Sequence, residues 1–362
     1  MLENFFNIRK NSEKLFENLE ISGNRELCDQ WMNQWPVIFF SLKDIDGLDF
    51  QSAYDRLVVQ LSNLCKMHVY LLQSEAIDPE LKAGTASEAQ VGFSLNTLMR
   101  MMESYYRKPV ILLLDEYDVP LAKASSNGYY KEMLSVIKGM MSTALKDNPF
   151  LKFAIITGCL KIAKESIFTG TNNLVSDTIT DTRLNEYFGF IQKDVEQILR
   201  DARSIDHLER VKSWYDGYHF GRMDVYCPWD VMNYVRDLRI DPDMKPASYW
   251  KNTSDNAIIR SFIDQSGSSI SQKLEKLLSG GYIVQQIDEN LTYDYLHSSE
   301  ENLWSILYLT GYLTRARDQN YNGELPEGTV ALVIPNEEIR EIFETTVKKW
   351  FADSAKIWNR SR

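Results

Sequence analysis

The residues best suited to chemistry sit at the end of one apolar run. Asp115-Glu116-Tyr117-Asp118 follow directly on Pro109-Val-Ile-Leu-Leu-Leu114. A buried strand that delivers two adjacent acids at its C-terminal end can hold Mg²⁺ with the first carboxylate and polarise an attacking water with the second. That is the pairing phosphoryl transfer to water needs. The same four residues also read as an acidic loop after an ordinary buried strand. A second apolar run, Leu151-Lys-Phe-Ala-Ile-Ile156, ends in Thr157-Gly158 and continues as Cys159-Leu-Lys-Ile-Ala-Lys164. A hydroxyl at that tip can hydrogen-bond a water or a γ-phosphate, and Lys161 and Lys164 can neutralise phosphate charge. The competing reading is a helix N-cap followed by a solvated lysine face.

A nucleotide enzyme also needs a cradle for the triphosphate. None of the 17 glycines is followed by lysine, so GxxxxGK[ST] does not occur. The one glycine pair at that spacing, Gly323 and Gly328, encloses two glutamates and lacks the lysine, a combination that repels phosphate. Other chemistries have less support. Acid-x-Lys tripeptides occur at Glu80-Leu-Lys82 and Asp243-Met-Lys245, both in proline-flanked segments that read as loops rather than as nuclease strands. There is no GxSxG elbow, no HExxH and no Cys/His cluster with zinc spacing. The aromatic stretch 214–229 reads as a structural corner, since it holds a single arginine, Arg222, too few basic residues to support base stacking.

The elements that must position these groups follow from periodicity. Between the two apolar runs, Tyr130, Met133, Leu134, Ile137, Met140, Met141 and Leu145 recur at helical spacing, predicting a helix over 129–146. Strand, helix and apolar strand make a βαβ unit and hence a parallel sheet. A third strand, 37–42, precedes helical patterns at 50–72 and 88–106. From about Asn185 the pattern turns mainly helical, with helices expected at 193–202, 206–214, 257–264, 270–278 and 300–309. A short strand is expected at 330–334.

Composition bounds the function. The 362 residues are 44% hydrophobic and 25% charged, the make-up of a globular chain with length for about two domains. A net charge of −11 argues against direct nucleic-acid binding, which draws on a basic footprint. The longest aliphatic runs are strand-length, well short of the roughly 18–20 residues of a membrane span. No secretory signal is visible at the N-terminus. Four scattered cysteines and no CxxC suit a reducing cytoplasm.

With these residues in hand, the chain resembles the AAA-ATPase-like family of bacterial proteins, in which this domain precedes a PD-(D/E)xK-type nuclease-like domain. The matching stretches are Pro109 to Leu121, Gly128-Tyr-Tyr-Lys-Glu-Met133, Phe153 to Leu174, Asn185-Glu-Tyr-Phe-Gly-Phe190 and Trp214-Tyr-Asp-Gly-Tyr218. They continue with Tyr249-Trp-Lys-Asn-Thr-Ser254, Glu300 to Thr314 and Ile334-Pro-Asn-Glu-Glu-Ile-Arg-Glu-Ile-Phe343. The resemblance implies a P-loop NTPase-like parallel sheet with its N-terminal part missing, over 1–185. A mainly helical domain is expected over 186–345, and a trailing helix or the start of a truncated C-terminal region over 346–362. It implies Asp115 as Mg²⁺ ligand, Glu116 as water-activating acid, and Mg²⁺ and ATP as cofactors; Thr157 and Lys161 are the cofactor-binding candidates from the tip of the second run. Lys161 and His219 stand where the family usually has arginines. Family members carry a phosphate loop just before a helix resembling Met1-Leu-Glu-Asn-Phe-Phe6, so the cradle is expected upstream of Met1. The expectation is a truncated ATPase-like protein unable to hydrolyse ATP alone. Two alternatives stay open: an active ATPase whose phosphate loop comes from another chain or segment, and a non-enzymatic protein-interaction module. The partner in view is accordingly a protein or the missing N-terminal segment.

Overall fold

The computed structural model describes residues 1–71, 81, 83–160, 174–250, 268–291, 299–317, 321 and 324–346. The chain divides into two compact units, the first built on Met1–Leu174 and the second on the residues from Val175 onward.

The first unit is organised by three parallel strands. In β1 (Val37–Ser41), β2 (Val110–Asp115) and β3 (Leu151–Ile156) the order is β1-β2-β3, so the strand that carries the acids is central. Val110 to Leu114 are all buried, which a continuous apolar run achieves only when both faces of the sheet are covered. Each such Leu or Ile contributes about 1.5–3 kcal/mol of transfer free energy. On one face Val37, Ile111 and Leu113 pack with Phe6, Trp31, Trp35, Phe153 and Ile155. Trp31 and Trp35 stack at 5.3 Å, and the Lys152 ammonium lies 4.8 Å from the Trp35 ring. Ile38, Phe40, Leu112 and Leu114 alternate onto the other face and are equally buried.

β3 differs from its neighbours. Its apolar side chains are only half-buried, and among the described residues its outer edge pairs with no strand.

The crossover helices follow the periodicity closely. The first, α1 (Phe50–Met67), starts where the Asp49 carboxylate accepts the Ser52 N–H at 2.8 Å. The others are α2 (Glu88–Tyr106), α3 (Val119–Asn127) and α4 (Tyr130–Leu145). The expected helices at 50–72, 88–106 and 129–146 are α1, α2 and α4, α1 stopping at Met67. Periodicity did not predict α3, which Pro120 opens and Gly128 (φ +83°) closes. Asn96 Nδ2 donates to Thr143 O at 3.1 Å, tying α2 to α4.

The second unit combines helices with two small antiparallel sheets. Helices α5 (Gln192–Asp201), α6 (Leu208–Tyr215) and α7 (Pro228–Leu238) enclose Val195, Leu199, Val211, Tyr215, Tyr226 and Tyr234. Between α6 and α7 runs a hairpin, β4 (Tyr218–Phe220) with β5 (Met223–Val225). A second core gathers α8 (Ser268–Leu278), β6 (Ile283–Gln286), α9 (Glu300–Leu309), β7 (Thr314–Arg315), β8 (Thr329–Val333) and a helix over 337–346. Its sheet order is β6-β8-β7, and Trp304, Leu307, Leu332 and Phe343 lie at its centre. Helices expected at 193–202, 206–214, 270–278 and 300–309 and the strand at 330–334 have counterparts here. The one expected at 257–264 lies outside the described residues.

Candidate functional site

The three parallel strands end side by side, and the acids sit in the middle of that end. Asp115 is the last residue of β2 and pairs with Ser41 at the end of β1. On the other side Thr157 continues the ladder, its N–H donating to Leu114 O at 2.9 Å. Its hydroxyl donates to Asp115 Oδ1 at 2.6 Å. Two residues 42 apart in sequence therefore meet because β2 and β3 are neighbours in register.

Glu116 sits in the left-handed region at φ +53°. A non-glycine residue there carries strain of about 1–2 kcal/mol. The turn this makes leaves the Glu116 side chain exposed at its tip but partly covered, while the next two residues turn inward. Its carboxyl is held above the ordinary glutamate range. Partial burial is the leading cause, followed by the like charges of Asp115 and Asp118, with Lys43 opposing and Asp44 adding to the rise.

Tyr117 and Asp118 fasten the chain beyond β3 to the chain beyond β2. The Tyr117 N–H donates to Thr157 O at 3.1 Å and its hydroxyl to Leu160 O at 2.8 Å. The fully buried Asp118 carboxylate accepts the Cys159 N–H on both oxygens at 3.1 Å and the Leu160 N–H at 2.9 Å. Glycine is required at 158, since a Cβ there would lie 2.6 Å from both Asp118 Oδ1 and the Tyr117 ring. The result is a clip that sets Thr157 against Asp115.

Of the sequence-derived candidates, Asp115, Glu116 and Thr157 come together at this strand end. Lys161 and Lys164 lie outside the described residues. Sequence reasoning did not single out Asp118 as a positioning group or Lys43 as the cation acting on Glu116. The signal for Asp118 was an acid directly before Val119-Pro120, which reads as a helix start. Instead its side chain reaches across to the neighbouring strand's loop. Among the described residues no cluster of three or more His, Cys, Asp or Glu side chains can hold a metal ion. Asp115 Oδ2 makes no hydrogen bond there either, and one carboxylate facing water suits Mg²⁺, which takes one or two protein carboxylates and completes its shell with water and phosphate oxygens.

Parallel strands with paired acids and a partnering hydroxyl at their carboxyl ends define an α/β domain, the class in which ligands gather where the strands stop. Residues 1–168 match the model of the AAA-ATPase-like family, described as a predicted AAA-ATPase. Over 268 residues the chain is 22% identical to an uncharacterized protein in the vnfD 5′ region of Azotobacter chroococcum mcd 1. The alignment covers 73% of this chain and 48% of that protein, so the chain spans about half the length of the relative it matches. No solved structure matches the chain. No described helix is long and apolar enough to cross a membrane.

Proposed function

We propose that the first unit is the metal- and water-facing half of a P-loop-type ATPase site. Asp115 holds Mg²⁺, Glu116 orients and polarises the attacking water, and Thr157 contacts the terminal phosphate while keeping Asp115 in place. The observation that carries this reading is the 2.6 Å bond between the Thr157 hydroxyl and Asp115 Oδ1 at the end of the central strand, with Glu116 adjacent. Bound Mg²⁺ supplies charge neutralisation of the phosphates. The chain supplies an anchored carboxylate whose second oxygen faces water, and a strained turn that fixes where Glu116 projects. The raised affinity of Glu116 for protons makes it a better acceptor for a water proton than an ordinary surface glutamate.

No GxxxxGK[ST] phosphate loop occurs in these 362 residues. The half-buried apolar strand β3, whose outer edge pairs with no strand among the described residues and which runs on into Thr157, is where a parallel strand leading into a phosphate loop would add. Without the backbone amides and lysine of such a loop, this chain does not turn over ATP.

Calorimetric titration with Mg²⁺–ATP tests the reading, using the chain alone and with a strand–GxxxxGK[ST]–helix segment supplied in trans. The expected result is no turnover alone and binding with the segment that Asp115→Asn removes. Binding indifferent to Asp115→Asn, or turnover by the chain alone, would overturn it.

A further inference from the structure

Two stretches that the ATPase reading leaves unused, 214–218 and 334–343, meet inside the second unit. Gly217 (φ +106°) lies so close to Pro335 that a Cβ there would be 1.9 Å from the Pro335 carbonyl oxygen. Asn336 Nδ2 donates to Asp216 O at 3.0 Å, and its Oδ1 accepts the Ile339 N–H at 3.0 Å, capping the helix over 337–346. This packing encloses Glu338 in the first turn of that helix and Asp230 in the first turn of α7, each 1% exposed.

The hydrogen-bond inventory of the pair does not close if both groups are ionised. Glu338 Oε1 accepts the Trp250 N–H at 2.8 Å. Glu338 Oε2 and Asp230 Oδ1 are buried with no partner, although the two carboxyl groups lie within hydrogen-bonding reach of each other. Two carboxylates are both acceptors only, so neither can satisfy its neighbour, and each repels the other in a site that water does not reach. The surroundings offer neutral donors but no opposite charge: the Cys227 thiol beside Asp230 and the Ser248 hydroxyl beside Glu338 favour the ionised forms only in part, and burial outweighs them. The Cys227 thiol precedes α7, the Tyr218 hydroxyl comes from β4, and Tyr215 and Asp216 lie at the end of α6. Ser248 and the Trp250 N–H come from the segment after α7. Thiol and phenols are uncharged at neutral pH, and Asp216 is a further acid with an unpartnered oxygen. Arg317 reaches Asp216 at 4.0 Å, and among the described residues no cation acts on Asp230 or Glu338.

We infer that Asp230 and Glu338 share one proton at neutral pH, forming a carboxylic acid–carboxylate latch that joins α7 to the helix over 337–346 and opens in mild alkali. One proton gives one of the orphaned oxygens a donor and the other its acceptor, and it removes the repulsion. Burial pushes both groups up, Glu338 to about 8. Between the ordinary glutamate range and that value the folded chain holds one proton more than the unfolded chain. The latch therefore contributes fully in acid, and its contribution is lost as pH rises through about 8.

The test compares thermal unfolding of the full chain and of Glu338→Gln between about pH 6 and pH 9, with infrared difference spectra of the same pair. The amide donates permanently to Asp230, so the wild-type melting temperature should fall across this range while the variant's profile stays flatter. A neutral-carboxylic-acid carbonyl band should be present in the wild type at pH 7, and lost at pH 9.5 and in the variant. Superimposable pH profiles, or no such band at pH 7, would overturn the inference. Should Glu338→Gln fail to fold, the wild-type band and its loss in alkali decide alone, with Asp230→Asn as the second comparison.

Discussion

Replacing Asp118 by alanine tests the geometry of the strand-end site most directly. The side chain is fully buried and accepts two backbone N–H groups, those of Cys159 and Leu160. Hydrogen bonds to a charged acceptor are each worth about 1.5–3 kcal/mol. The two donors fare differently once the carboxylate is gone. Leu160 is buried, so its N–H stays dry and the full penalty applies, whereas Cys159 is exposed and its N–H is rehydrated. The expected loss is about 2–4 kcal/mol. For a unit of this size that is a drop of roughly 5–15 °C in melting temperature. Asp118→Asn keeps one acceptor oxygen and should cost about half as much. Amides over 157–160 should exchange about 30- to 900-fold faster in the alanine variant. Hydrogen exchange read by mass spectrometry, alongside thermal melts of all three proteins, provides the measurement. An alanine variant within about 0.5 kcal/mol of the wild type, with exchange at 157–160 unchanged, would refute the clip.

Glu116→Gln should stabilise the chain at neutral pH and give no gain near pH 4. The folded state raises this group's affinity for its proton, so the penalty on the charged form is felt only once it ionises. Urea denaturation at the two pH values checks it, and carboxyl NMR of Asp115→Asn should show Glu116 titrating lower than in the wild type. Gly217→Ala forces a Cβ into the Pro335 carbonyl on a left-handed backbone, and should cost more than about 4 kcal/mol. A soluble alanine variant that melts cooperatively at the wild-type temperature would contradict that packing.

How much of this was legible beforehand depends on how each element is stabilised. β2, α2 and α4 repeat their apolar residues at fixed periods over 6, 19 and 16 residues, and both acids at the end of β2 could be read from the run that delivers them. Their juxtaposition with Thr157 followed from a parallel pairing that two apolar runs and one helix imply. The hairpin β4–β5 was hidden because its strands are three residues each and read as an aromatic, turn-rich block. α3 was missed because nine residues beginning Val-Pro carry only a weak apolar stripe. Asp118 and the Asp230–Glu338 pair could not be read at all. What matters about them is which backbone amides or carboxyls the tertiary fold brings opposite, and no local spacing encodes that.

The clip has a mechanical consequence. Residues 157–160 are tied at both ends to the four residues 115–118, through Thr157 at one end and through Leu160 at the other. Such a segment cannot absorb a displacement as a slack loop would. A change of a few tenths of an ångström in where Asp115 sits must either break one of these bonds or carry residues 157–160 with it. The strand end is thus one stiff piece: Asp115 at its centre and Leu160 at its rim shift together or not at all.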